Sequence, residues 1–191
     1  MELDDEQPKK ELLQIYDAEG YPTKGLARAE VKAEDPRTSW YAVVNVWLIG
    51  PDGRILCSQR SEKNQNNPGK WQTYFGGHVK VGHTFVEALE KGLREEIGLA
   101  IDRSKLYLVE RGSDPKNLAH FGFYILPFGG RAEDLKFSDG EISAVRWLTI
   151  DECRQEREAA ADKWCNAISS RFEPGIRSWI AGGGRGRTEK K

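Results

Sequence analysis

Cysteine is scarce in this chain of 191 residues: Cys57, Cys153 and Cys165 are widely spaced and form no C-x-x-C pair. Neither a disulfide framework nor a zinc site is therefore expected. Long hydrophobic runs are also lacking. The longest, 42–50, is broken by Asn45 and is far too short to cross a bilayer. The N-terminus, Met1-Glu2-Leu3-Asp4-Asp5-Glu6, is acidic and has no apolar signal region, so secretion is not expected and a reduced, cytoplasmic setting is. An excess of charge of either sign is missing too. Lys and Arg number 29 against 30 Asp and Glu, a net charge of −1 that argues against strong nucleic-acid binding. No internal repeat stands out.

What is present suits one soluble globular domain with appendages: 38% hydrophobic and 31% charged residues, with a mean hydropathy of −0.65. Residues 11–16 are apolar and extended, and Asp17 to Gly20 is a turn signal. A short hairpin packed on the main body is expected within 1–35, with one or two helical turns over 26–35. The main domain is expected over 36–181. Its first strong strand is Trp40 to Ile49, returned through Pro51-Asp52-Gly53 into a strand over 54–60. Polar residues 61–70 read as loop, Trp71 to Phe75 as a short strand ended by Gly76-Gly77, and His78 to Val81 as extended chain. Further strands are expected over 106–111, 120–127 and 143–148.

The clearest helix follows Thr84, which forms a capping box with Glu87, and stops at Gly98. Thr149 and Glu152 repeat the box and open a second helix running toward Ala160. Residues 162–172 and 176–181 also read as helical. The Gly-rich tail 182–191 has almost no apolar side chains and is expected to be disordered. It reads as a solvated tail, with weak RNA binding through Arg185 and Arg187 as the alternative.

Residues 77–99 carry the chemistry. With side chains advancing about 100° per residue, Phe85, Val86, Leu89, Leu93 and Ile97 form one apolar stripe. Glu95 and Glu96 flank it, and Gly92 projects between them one turn earlier. Here the chain resembles the Nudix family, whose box reads G-x5-E-x7-R-E-U-x-E-E-x-G-U, with U an aliphatic residue. Gly77, Leu93, Glu95, Glu96, Gly98 and Leu99 stand in register. His83 replaces the first Glu, Lys91 the Arg and Gly92 the Glu after it. Val46-Trp47, Gly53 to Arg60, Pro68 to Trp71 and Gly76 to Val79 are similar to the subgroup near isopentenyl-diphosphate isomerase. Asp139-Gly140-Glu141 and Arg146 to Glu152 resemble the strand and helix that follow in the family.

The resemblance implies an α/β/α sandwich with a mixed sheet and metal-dependent hydrolysis of a diphosphate linkage in a nucleoside diphosphate derivative or similar small molecule. Glu95 and Glu96 would hold Mg²⁺ or Mn²⁺, hard ions that take oxygen ligands. Glu141 would serve as a further ligand or general base, so the catalytic set is Glu95, Glu96 and Glu141. Arg60, Lys63, Lys70, Gly77 and His78 would bind substrate, the cations as charge-assisted donors. Ordinary surface charge is the competing reading for Lys63 and Lys70, and a backbone-bonded strand residue for His78. A carboxylate is absent at Gly92, which points to reduced or altered activity. A catalytically silent nucleotide- or diphosphate-binding domain is the main alternative. An isomerase ranks last, because its reactive Cys would fall near Gly76 and its paired His ligands have no counterpart at Arg37-Thr38-Ser39-Trp40. Dimers are common in folds of this family, which puts a homodimer among the expected partners.

Overall fold

The structure is a computed structural model that describes residues 12–27, 30–31, 39–64, 66–137, 140–166 and 168–184. Glu11, most of the helical turns expected over 26–35, Asp139 and the tail beyond Gly184 lie outside the described residues. The elements are β1 (Leu12–Tyr16), β2 (Pro22–Ala27), β3 (Trp40–Ile49), β4 (Ile55–Arg60), β5 (Trp71–Gln72), β6 (Phe75–His78), α1 (Phe85–Ile97), β7 (Tyr107–Asp114), β8 (Ala119–Pro127), β9 (Ile142–Leu148), α2 (Ile150–Ala159) and α3 (Glu173–Ala181). The nine strands form one mixed sheet, the α/β arrangement that the resemblance implies. No described helix is long and apolar enough to cross a membrane.

The β-branched and aromatic content of β3 suits a strand buried on both faces. It runs parallel to β8 from Tyr41–Ala119 to Ile49–Pro127. Along its other edge it meets β1 at Trp40 and Tyr41, β6 over residues 43–46 and β4 at Ile49. Successive side chains alternate between faces. Ala42, Val44, Val46 and Leu48 pack in a cluster with Leu89, Leu93 and Ile97 of α1. Trp47 and Ile49 pack in a second cluster with Cys153 of α2 and Ile176 of α3.

α1 has the expected bounds. Thr84 and Glu87 form both halves of the capping box, and Gly98 closes the helix with φ 67°. Both Leu89 and Leu93 are buried. Thr149 and Glu152 cap α2 in the same way.

Two expectations are corrected. Gly76 and Gly77 do not end a strand. They lie inside β6, opposite Asn45 and Val44, and the turn ahead of α1 falls at Val81 and Gly82, with Gly82 at φ 80°. A double glycine in a strand marks a close backbone approach as readily as a turn. Nor are the described residues within 162–172 α-helical. A single 3₁₀ turn, Ala161–Lys163, leads into Trp164, which bridges to Trp71. The Cys165 N–H then donates to the Trp71 carbonyl at 3.0 Å. Tertiary packing overrides local propensity there: Trp164 is buried, and the Arg146 guanidinium lies 4.0 Å from the Trp71 ring centroid. α3 starts at Glu173, with a proline in its first turn. Gly182, Gly183 and Gly184, assigned to the tail, close this helix by donating to Ser178, Ile180 and Trp179 carbonyls.

Leu93→Ala should destabilise the fold by about 2–5 kcal/mol, because it opens a cavity between α1 and the sheet. Thr149→Ala should cost about 1 kcal/mol through the lost cap. Urea unfolding of both variants would check these values, and a neutral Leu93→Ala would contradict the packing.

Candidate functional site

The site is a cleft of about 780 Å³ between the exposed flank of α1, strand β6, the loop after β4 and the segment after the 3₁₀ turn. Its floor depends on Gly76. That residue sits at φ 141°, and a Cβ there would fall 2.0 Å from the Val44 carbonyl oxygen. Only glycine allows β6 to approach β3 so closely. Gly77, by contrast, has nothing within 4 Å of the Cβ position.

Of the eight residues assigned to catalysis or substrate binding from sequence, six line this cleft: Arg60, Gly77, His78, Glu95, Glu96 and Glu141. Lys63 and Lys70 are not in the lining. Lys63 is exposed, and the Lys70 carbonyl accepts from the Arg60 N–H at 2.9 Å, closing the loop between β4 and β5. Arg60 itself donates from Nε to the Asn66 carbonyl at 2.9 Å, so one edge of its guanidinium holds the loop. Glu95 is exposed and pairs with Lys91, Nζ to Oε1 at 3.8 Å, an i,i+4 ion pair on the helix surface. Glu96 is half-buried. The Glu141 carbonyl accepts from the Ser61 N–H at 2.8 Å and from Asn64 Nδ2 at 2.7 Å. Those bonds tie the start of β9 to the loop after β4 and bring Glu141 to the cleft from 77 positions away.

The three histidines have different environments. His78 packs its ring against Tyr41, centroids 5.3 Å apart. His83, which replaces the first Glu of the box, also lines the cleft and has Nδ1 3.2 Å from the Val81 carbonyl. His120 is structural: buried, stacked on Trp40, bonded to Ser113 at 2.7 Å and to the Asp17 carbonyl at 2.8 Å, it clamps the β1–β2 turn onto the sheet.

Among the described residues no group of three or more His, Cys, Asp or Glu is placed to hold a metal ion. Two adjacent carboxylates on an open cleft still fit Mg²⁺, which keeps several waters and takes one or two carboxylates together with substrate phosphates. The Gly92 position faces the same chemistry, since a Cβ there would meet only Glu96 Oε1, at 3.6 Å.

Several lining residues escape sequence reasoning: Asn45, Gln72, Tyr74, Lys80, Cys165 and Asn166. Lys80 lies two residues beyond His78 along extended chain, so alternation carried past the end of β6 finds it. Asn45 is signalled by its interruption of an apolar strand. Tyr74 and Asn166 carry no local signal. Asn166 reaches the cleft by accepting from the Thr73 N–H at 2.9 Å. Burial pushes the Tyr74 phenol up to about 12, against the opposing pull of Arg60 and Asn166.

The NUDIX domain family model matches residues 40–166. The NAD-capped RNA hydrolase NudC of Mycobacterium tuberculosis is 31% identical over 179 residues, covering 85% of this chain and 54% of that protein. The chain thus spans about half the length of these curated relatives. An isopentenyl-diphosphate Delta-isomerase of Kocuria rhizophila is 24% identical over 136 residues, covering 70% of this chain and 74% of that one. Among solved structures, DR0079 from Deinococcus radiodurans is similar in fold, with a TM-score of 0.66, 24% identity and coverage of 87% of this chain and 98% of that one.

Gly76→Ala should destabilise the protein by about 2–4 kcal/mol, combining backbone strain with a collision in the sheet. Gly77→Ala should stay within about 1 kcal/mol of wild type. Parallel denaturant melts would test the contrast, and equal effects would mean that the β3–β6 approach is misplaced.

Proposed function

Because this chain belongs to the Nudix family, we propose that its cleft hydrolyses a diphosphate linkage in a nucleoside diphosphate derivative or similar small molecule, with activity reduced by the glycine at position 92. The observation that carries this reading is the convergence of Glu95, Glu96, Glu141 and Arg60 on one cleft from three separate parts of the chain. Glu95 and Glu96 would hold Mg²⁺ or Mn²⁺ together with diphosphate oxygens. When bound, the ion supplies charge neutralisation at the diphosphate and lowers the pKa of water. Arg60 donates to a phosphate oxygen from the guanidinium nitrogens not spent on Asn66. Glu141 is suited to accept a proton from the attacking water. The similarity to a hydrolase of NAD-capped RNA makes NAD⁺ a first compound to test.

Two observations favour the silent binding domain as a second reading. The Lys91 ammonium, 3.8 Å from Glu95, competes for one of the two carboxylates, and among the described residues no three carboxylates stand close enough together to hold an ion. An isomerase is disfavoured, since a side chain at Gly76 would strike the Val44 carbonyl at 2.0 Å. We infer a reduced, cytoplasmic setting from the three free cysteines.

A screen of NAD⁺, nucleoside diphosphate sugars and dinucleotides with Mg²⁺ and with Mn²⁺, reading products by mass spectrometry, should show slow hydrolysis that needs millimolar-range metal. Glu96→Gln should abolish it. Turnover that persists in chelator would overturn the reading, and tight binding without turnover would favour the silent domain. Gly92→Glu should tighten Mn²⁺ binding several-fold in calorimetric titration, because a third hard oxygen ligand enters beside Glu96. Its turnover should rise with affinity. No gain in affinity would mean that position 92 does not face the ion.

A further inference from the structure

Two buried thiols meet where α2 rests on the sheet. Cys57 of β4 and Cys153 of α2, 96 positions apart, bring their Sγ atoms to 3.5 Å. Both are at most 1% exposed, and neither lines the cleft. Among the described residues no third ligand joins them, so the pair is not the closed four-ligand set that structural zinc takes. The hydrogen bond with Cys153, together with burial, holds the Cys57 thiol well above its usual range. The closed pair is therefore protonated and inert.

The helix that carries Cys153 is lightly anchored. Of the ten residues of α2 only Ile150 and Cys153 are buried. Its other ties are the Thr149–Glu152 cap and the surface ion pairs Arg146–Glu156, Arg177–Asp151 and Arg154–Glu173, and such pairs contribute little each. β4, by contrast, is held in the sheet by β9 along its whole length and by β5. A segment with so few buried contacts opens locally far more often than the sheet beneath it. When α2 lifts, both thiols meet water. When it closes, the sulfurs stand about 1.5 Å short of an S–S bond of about 2.05 Å, a gap that turning the two side chains can close.

We propose that Cys57 and Cys153 are a modification site for peroxides, which oxidise the pair to a disulfide that fastens α2 to β4. With α2 open, the Cys153 thiolate attacks hydrogen peroxide. The O–O bond breaks, a sulfenic acid forms, and the departing hydroxide takes up the thiol proton as water. With α2 closed again, the Cys57 sulfur attacks the Cys153 sulfur. The S–S bond forms, the S–O bond breaks, and the released hydroxide leaves as water with the Cys57 proton. Two thiols are oxidised and one peroxide is reduced to two waters. The cross-link closes a long loop and replaces the helix's weak apolar anchor with a covalent one. It lies beside the ionic tie, because Arg146 stands opposite Cys57 in the sheet and pairs with Glu156 one turn beyond Cys153.

The test treats the full chain with hydrogen peroxide at neutral pH, alkylates the remaining thiols and maps peptides by mass spectrometry without reduction. One cross-linked peptide joining Cys57 to Cys153 is expected, with Cys165 outside the cross-link, and dithiothreitol should reverse it. Amide hydrogen exchange over α2 should slow by about tenfold or more in the oxidised protein while exchange over β8 stays the same. Glu156→Gln keeps both thiols and removes one tie of α2, so it should speed cross-linking about 2–5-fold. Cys57 and Cys153 recovered free or separately oxidised, or a cross-link made through Cys165, would overturn the proposal. So would α2 exchange that oxidation leaves unchanged, or a Glu156→Gln variant that cross-links no faster than wild type.

Discussion

β3 is the constraint on which the rest depends. It pairs along both edges and is covered on both faces, so every other layer takes its position from it. Its long parallel register with β8 leaves no freedom to slip, because a shift of one residue would exchange the α1 face for the α2–α3 face. The opposite edge is shared out among β1, β6 and β4. β6 takes the middle of that edge only because Gly76 brings no side chain against the Val44 carbonyl. The cleft floor, the start of α1 and the carboxylates on its flank all follow from that contact.

The carboxylate flank of α1 is a balance rather than a simple acidic patch. Glu95 is exposed and shares its charge with Lys91 one turn earlier, so part of its field is already answered. Glu96 is half-buried and faces the space above Gly92. Two carboxylates with one competing ammonium attract a divalent ion less strongly than three would. The same geometry leaves room at position 92 for a water, a phosphate oxygen or an introduced carboxylate. Tyr74, on the same lining, is fixed by packing instead. Trp47 and Phe123 pack edge-on against the Tyr74 ring, and Phe172 packs against both of those rings.

Much of this was legible in residues. The bounds of α1 followed from Thr84, Glu87 and Gly98, because capping chemistry is local. The apolar stripe identified Leu89, Leu93 and Ile97 as its buried face, because helical periodicity reports burial directly. Glu95 and Glu96 were visible through a spacing that one helix fixes. Lys63 and Lys70, for which surface charge was already one reading, stand outside the cleft lining; a cation in a polar loop has the same appearance whether it turns inward or outward. The segment after Ala160 misled: its helical composition gave way to the burial of Trp164 against Trp71 and Arg146.

The sequence by itself determined the family resemblance, the helix that carries the paired carboxylates and the gap at position 92. Each of these rests on neighbours within a few residues, where propensity, capping and periodicity act. Only the tertiary structure decided that Gly76 is a contact rather than a turn, and that Glu141, just ahead of β9, lines the same cleft as the helix. It also decided that Tyr74 and Asn166 line the cleft. These depend on contacts between segments as much as 93 positions apart, and the register of β3 with its partners, which no local pattern encodes, brings those segments together.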